Sequence, residues 1–339
     1  VFGRSSAVRS AVSKGKPIVI LAVDGGGARG VIPANVLYLI EQRCGVDVRE
    51  SFDFFAGVST GALVACYCAQ GMGTIEQLVQ ESYSSHNMSH VFDKSAWDRM
   101  VGRMQHRPKY DGINKREYVR DLAGGARIND ITDKHLLVLA YDFINRELVT
   151  FKNRRGHDAR YNPTIEEVCD AATAAPTLYP PVPTSDINRR WLIDGALATN
   201  DPSLCAITEA LAMGYAIDEI YLVSLGTGRP VHDLSQEDQD RIGEASRDWG
   251  IYGWISNGLI DHMLGASSSV STVQCRQLLG DRYLRVDGTL PRSLVKLDET
   301  STGYVQNLQV YAIAWFEEAQ DSILKLLKAA RPSAGGDAL

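Results

Sequence analysis

IVILAVDGGGARG, residues 18–30, decides the fold. Its first half, Ile18 to Val23, is a continuous apolar run rich in β-branched side chains, which suits a strand buried on both faces of a parallel sheet. Asp24 to Gly30 is a glycine-rich turn, and Pro33 opens a helix through about Arg43. Proline suits a first helical turn, where its missing N–H would go unpaired in any case. Gly45 is placed to stop that helix. Strand, turn and helix in direct succession begin an α/β unit.

The same rhythm continues. Residues 52–57 (FDFFAG) predict a short strand and residues 61–70 a helix closed by Gly71. Residues 135–141 and 148–151 read as strands, 165–175 as a helix of small residues, and 190–193 as a strand running into Asp194. Residues 202–213 read as a helix ended by Gly214, and 220–225 (IYLVSL) as another buried strand. The alternation predicts an α/β fold, a three-layer α/β/α sandwich with a mainly parallel central sheet. After Gly228 the pattern changes. Residues 231–248 are acidic and polar, a loop or lid, and residues 249–264 mix Trp249, Trp254 and Met263 with glycines. A last long helix is expected over residues 303–330. The expected organisation is a flexible arm over 1–16, one domain over 17–330 and a disordered tail over 331–339. Within that domain the motifs occupy 18–228, and 229–330 form a helical or lid portion.

Composition narrows the function. Hydrophobic content of 45% and charged content of 22% suit a globular chain with a sizeable core. No apolar run approaches the ~18 residues needed to span a bilayer. The first residues, Val1 to Ser6, carry no basic-then-apolar export signal. The cysteines, Cys44, Cys66, Cys68, Cys169, Cys205 and Cys275, are not required as staples in a chain this long and are expected to be reduced, as in the cytoplasm. Their spacing suggests no zinc site, and neither metal nor cofactor is expected. A net charge of −6 argues against generic nucleic-acid binding and against membrane adsorption driven by global charge. Two local basic clusters stand out, Arg99, Arg103, Arg107 and Lys109, then Lys152, Arg154 and Arg155; a solvated surface is the simpler reading of both.

Three motifs carry chemistry. Gly57-Val-Ser59-Thr-Gly61 matches G-x-S-x-G between an apolar strand and an apolar helix. In that context a sharp strand-to-helix turn pushes the serine hydroxyl out of the sheet, and the flanking glycines leave the backbone room to turn. Asp24 to Gly30 follows the first strand, and its glycines let N–H groups converge on an anion. Gly25, Gly27 and Gly30 also satisfy G-x-G-x-x-G, so a dinucleotide fold competes with an oxyanion hole. A dinucleotide site wants a second strand ending in an acidic residue; Asp47 instead follows Gly45 in a helix exit, and the next strand leads to Ser59. Asp194-Gly195-Ala196, after the apolar Trp191 to Ile193, is the third motif, although an ordinary Asp-Gly turn would have the same letters. A Ser–Asp–His triad is also available in order, since His232 and His262 follow Asp194.

DGGGARG, GVSTG and DGA in that order resemble the three signatures of the patatin-like phospholipase family. Tyr110 to Gly112 resembles its YDG segment, residues 171–181 (AATAAPTLYPP) its small-residue helix and proline turn, and residues 222–228 (LVSLGTG) a following strand and glycine turn. The likeness covers residues 18–228 well and the C-terminal third loosely. It implies a lipid acyl hydrolase with Ser59 as nucleophile and Asp194 as its base, without a histidine, acting through an acyl-enzyme. It implies an oxyanion loop of Gly25, Gly26 and Gly27, completed by Arg29 and Gly30, an elbow framed by Gly57 and Gly61, and small residues Gly195 and Ala196 after the base. Ala196 stands where many members have glycine and others alanine. The implied substrates are membrane phospholipids and related esters, met at the membrane surface by a cytoplasmic protein. Residues 249–264 are the candidate contact, with core filling as the other reading. Some bacterial members resembling this chain are membrane-degrading effectors switched on by a cyclic nucleotide, an anion the basic clusters could hold. The alternatives are a Ser-Asp-His esterase and a non-catalytic lipid-binding protein of the same fold.

Overall fold

The computed structural model describes residues 15–93, 107–153, 161–186, 189–231, 235–250, 253–254 and 258–331. The expected arm and tail fall outside these, except for their inner ends. The apolar run is strand β1 (Ile18–Val23), buried along its whole length. Its side chains alternate: Val19, Leu21 and Val23 join one apolar cluster, and Ile18, Ile20 and Ala22 join another. A strand with apolar clusters on both faces is the centre of a layered α/β fold.

Helix α1 (Val31–Cys44) follows the glycine turn and ends at Gly45 in the left-handed conformation. Pro33 lies inside its first turn, where no N–H is required. Strand β2 (Phe54–Val58) pairs parallel with β1, and helix α2 (Thr60–Gln70) leaves directly from its end. Helices α3 (Ser85–Val91) and α4 (Ile113–Ala123) come next, then strands β3 (His135–Asp142) and β4 (Glu147–Lys152). Helix α5 (Ile165–Ala172) stops earlier than the expected residue 175. Pro176 disfavours a helical residue before it, and Thr173 donates its hydroxyl to the Cys169 carbonyl at 2.7 Å.

Strands β5 (Val182–Pro183) and β6 (Trp191–Asp194) bring the chain back to β3, and helix α6 (Ser203–Ala212) leads to strand β7 (Ile220–Leu225). Among the described residues the sheet has eight strands. Pairs β1–β2, β1–β7, β2–β3 and the later β7 pairing are parallel, whereas β3–β4, β3–β6 and β5–β6 are antiparallel. A mainly parallel sheet with helices on both faces is therefore present, with an antiparallel end beyond β2.

The C-terminal third differs most from the sequence expectation. After strand β8 (Arg229–Pro230), the expected acidic loop contains helix α7 (Gln236–Ser246), capped by the Ser235 hydroxyl, which accepts the Asp238 N–H at 3.1 Å. No residue of α7 is buried, so no apolar stripe marks it in the sequence. Helix α8 (Leu259–Leu279), strand β9 (Tyr283–Val286), which pairs with β7, and the short strand β10 (Thr289–Leu290), paired with β8, were not anticipated. Helix α9 (Thr302–Ala330) is the expected last helix and packs along α1. Phe316 of α9 is fully buried. Phe316→Ala should lower the free energy of unfolding by about 3–5 kcal/mol, measured by chemical denaturation.

Candidate active site

Ser59 occupies the step between β2 and α2, with φ 54° and ψ −127°. Non-glycine residues rarely adopt positive φ, and holding one there costs on the order of 1–3 kcal/mol. The step survives because its neighbours fit only without side chains. A Cβ on Gly57 would lie 2.1 Å from the Gly61 carbonyl oxygen, and one on Gly61 would lie 2.1 Å from that of Val23. The turn is thus pressed against β1, and the Ser59 side chain faces a cavity of about 600 Å³.

Strand pairing explains how Asp194 reaches the same point. From Leu137 to Asp142, β4 occupies one edge of β3. The other edge is shared: β2 holds it up to Leu139, partner of Val58, and β6 takes over at Ala140, partner of Asp194. Ser59 follows Val58, so nucleophile candidate and carboxylate meet where one strand gives way to the other. Gly195 seals the junction, since a Cβ there would lie 2.4 Å from the Leu139 carbonyl oxygen. The Asp194 carboxylate accepts the Ala196 N–H at 2.9 Å, and the Ser59 hydroxyl stands beside it, near enough to favour the ionised carboxylate. Burial pushes the Asp194 pKa up to about 6, although the neighbouring Ser59 hydroxyl, the Ala196 N–H and the Lys115 ammonium favour the ionised form.

The glycine loop faces this pair. A Cβ on Gly25 would lie 3.0 Å from the Ser59 Cβ. The Gly25 N–H, however, donates to the Asn200 carbonyl at 3.2 Å. Among the described residues no hydrogen bond occupies the N–H groups of Gly26 and Gly27. Of the three glycine N–H groups in the loop, two are therefore unengaged. Gly27 has φ +57°, which glycine adopts without strain. Arg29 steadies the turn, donating to the carbonyls of Gly26 at 3.3 Å and Gly228 at 2.5 Å. Thr227 donates its hydroxyl to the Gly25 carbonyl at 2.6 Å. Gly30 caps α1 and packs on Thr60 and Tyr83 rather than on the Ser59 side of the loop.

Two charged groups escaped the sequence reading. Asp24, at the end of β1, is buried and bidentate with Arg285 of β9, at 2.6 and 2.8 Å. Arg285 also meets Asp287 at 3.0 Å and Asp201 at 3.7 Å. Burial, with Asp201 and Asp287 nearby, pushes the Asp24 pKa up to about 8 against the pull of Arg285. Lys115 is the second. Its buried ammonium pairs with Asp170 at 2.9 Å, lies 4.2 Å from the centre of the Tyr179 ring, and borders the cavity. A buried carboxylate before a glycine loop signals a cationic partner, but Arg285 lies beyond the stretch that resembles known sequences.

A family model, patatin-like phospholipase, matches residues 21–207. The chain belongs to the patatin-like phospholipase family. Patatin-like protein 2 of Oryza sativa subsp. indica is 27% identical, over 88% of this chain and 84% of that protein. Patatin-T5 of Solanum tuberosum is 26% identical, over 87% and 82%. The solved structure of human GIVD cytosolic phospholipase A2 matches with a TM-score of 0.48 at 12% identity, covering 93% of this chain and 63% of that one. The family is one of lipid acyl hydrolases.

Other expectations for this patatin-like chain fall as follows. Asp47 caps a one-turn helix by accepting the Glu50 N–H at 2.8 Å, so it is not the acidic residue of a dinucleotide site. His262 is exposed on α8 and does not line the cavity, and His232 lies outside the described residues. All six cysteines are free. Lys109 is paired with Asp298 and Lys152 with Glu209; Arg99, Arg103, Arg154 and Arg155 lie outside the described residues. Among the described residues no cluster could hold a metal, and no helix is long and apolar enough to cross a membrane.

Backbone strain at Ser59 is separable from its hydroxyl. Ser59→Gly and Ser59→Ala both remove the hydroxyl, but only glycine relieves the positive φ. Chemical denaturation should find the glycine variant more stable than the alanine variant by about 1 kcal/mol; equal stabilities would contradict the strain.

Proposed function

We propose that this protein hydrolyses fatty acyl esters of phospholipids through Ser59 and Asp194. The observation that carries this is the meeting of the Asp194 carboxylate and the Ser59 hydroxyl at the cavity, where β2 gives way to β6, beside two unengaged loop N–H groups. Asp194 takes the proton from Ser59 Oγ as Oγ attacks the ester carbonyl carbon. The carbonyl oxygen gains negative charge and accepts from the Gly26 and Gly27 N–H groups, an effect worth ~2.7–4 kcal/mol per donor in comparable sites. The carbon–oxygen bond breaks, and the departing alcohol takes the proton from Asp194. Water then attacks the acyl-enzyme, giving a proton to Asp194, and the fatty acid leaves as Ser59 regains that proton.

An aspartate with an ordinary pKa near 3.9 is a weak base for a hydroxyl. Burial that lifts Asp194 to about 6 brings its basicity closer to neutral pH, where it stays largely ionised and competent. The exposed position of His262 supports a dyad over a triad. Trp254, 41% exposed, and Met263, 56% exposed, support residues 249–264 as the bilayer contact rather than core filling. A cyclic nucleotide activator would have to compete with Asp298 for Lys109 and with Glu209 for Lys152, which weighs against those lysines as its site.

Ser59→Ala and Asp194→Asn should each reduce fatty-acid release by at least about a thousandfold with unchanged circular dichroism; near-wild-type turnover by either defeats the dyad. In the wild type, kcat/KM should fall about tenfold per pH unit below about pH 6, as Asp194 takes up its proton, and level off above. A profile flat from pH 5 to 7 would contradict this. Replacing the Lys115–Asp170 pair by Lys115→Met with Asp170→Asn removes a charge that favours ionised Asp194, so the acidic limb should move to higher pH.

A further inference from the structure

The cavity beside Ser59 has two unlike walls. Leu63, Leu78, Met88, Phe92 and Leu122, from α2 to α4, make one of them apolar. Helix α8 borders the cavity too, with Leu264 and Val273 and with Ser268, Thr272 and Arg276, whose four-residue spacing puts them on one helix face. Arg229 of β8 borders the cavity as well. Both arginines stand on elements tied to the glycine loop. Gly228, next to Arg229, receives Arg29 on its carbonyl, and Ser268 meets Asn200, whose carbonyl holds Gly25.

The cations of this cavity divide sharply. Arg29 is engaged by the Gly26 and Gly228 carbonyls, Lys115 by Asp170, and Arg285 by Asp24 and Asp287. Among the described residues the side chains of Arg229 and Arg276 have no hydrogen bond or ion pair. The carboxylates bordering the cavity cannot supply one: Asp24 and Asp287 are held by Arg285, and Asp194 by the Ala196 N–H beside Ser59. Two exposed guanidiniums at the cavity without a partner among the described residues are free to receive an anion brought by the ligand. Phosphate oxygens suit the planar donor fork of arginine, whereas an acylglycerol offers it only neutral acceptors.

We propose that Arg229 and Arg276 bind the phosphate of the substrate's headgroup, making glycerophospholipids rather than acylglycerols the preferred substrates. This rests on Ser59 being the nucleophile. The acyl chain then lies along the apolar wall, the scissile carbonyl at the glycine loop, and the phosphate toward α8.

The test compares kcat/KM on monomeric diheptanoyl phosphatidylcholine with that on monomeric dihexanoylglycerol, for wild type, Arg229→Gln, Arg276→Gln and the double variant. Monomeric zwitterionic lipid removes any contribution from adsorption to an anionic bilayer. Both arginines are exposed, so the substitutions leave the core intact, which matched circular dichroism verifies. The phospholipid-to-acylglycerol ratio should fall about tenfold per arginine, mostly through KM. Added inorganic phosphate should leave wild-type hydrolysis of the acylglycerol unaltered; an effect of phosphate there that the double variant loses would assign the arginines to a free anion and overturn the headgroup role. An unchanged ratio in an active, Ser59-dependent enzyme overturns the subsite alone. Activity on neither substrate, or activity that survives Ser59→Ala, defeats the dyad instead.

Discussion

One edge of strand β3 is shared by two strands, and the candidate site depends on that sharing. Strand β2 occupies the edge up to Leu139, and β6 enters at Ala140 from the opposite direction. Two chain segments separated by more than a hundred residues are thereby fixed end to end by backbone hydrogen bonds. Backbone pairing sets the Ser59–Asp194 relation before any side chain is chosen. It also explains the small residues around the junction, since Gly57, Gly61 and Gly195 each abut a neighbouring carbonyl oxygen where a side chain would collide.

The electrostatics follow from burial at that junction. Taking a carboxylate out of water favours its neutral form, so Asp194 is pushed up, while the Ser59 hydroxyl, the Ala196 N–H and Lys115 pull it back. The balance near 6 suits the proposed role of Asp194, taking and returning a proton. A second buried cluster, Arg285 with Asp24, Asp201 and Asp287, ties the end of β1 to β9 and so anchors the loop carrying the unengaged N–H groups. Strain at Ser59 and the buried charge beside it are the local costs of this arrangement, offset by a core that covers both faces of β1.

Much of this was legible in the sequence. Strand β1 announced itself because a strand buried on both faces is apolar throughout, and the elbow because glycine, serine and glycine stood between an apolar strand and an apolar helix. What stayed hidden has physical reasons. Helix α7 is exposed all round, and in α8 the run Gly265 to Ser269 of small residues separates the apolar ends, so neither reads as a continuous apolar stripe. Arg285 and Lys115 act across 261 and 55 residues of sequence, on Asp24 and Asp170, and pairings at that range leave no local signature. The Gly25 N–H could not be known to be engaged, because its partner is a backbone carbonyl, which any residue provides.

The most direct measurement is covalent labelling with an alkyl fluorophosphonate, followed by peptide mass spectrometry. A serine activated by Asp194 should carry the phosphonyl adduct at Ser59, and Asp194→Asn should abolish or greatly slow the labelling. An adduct on another residue, or equally fast labelling without the Asp194 carboxylate, would contradict the pairing on which the site is built.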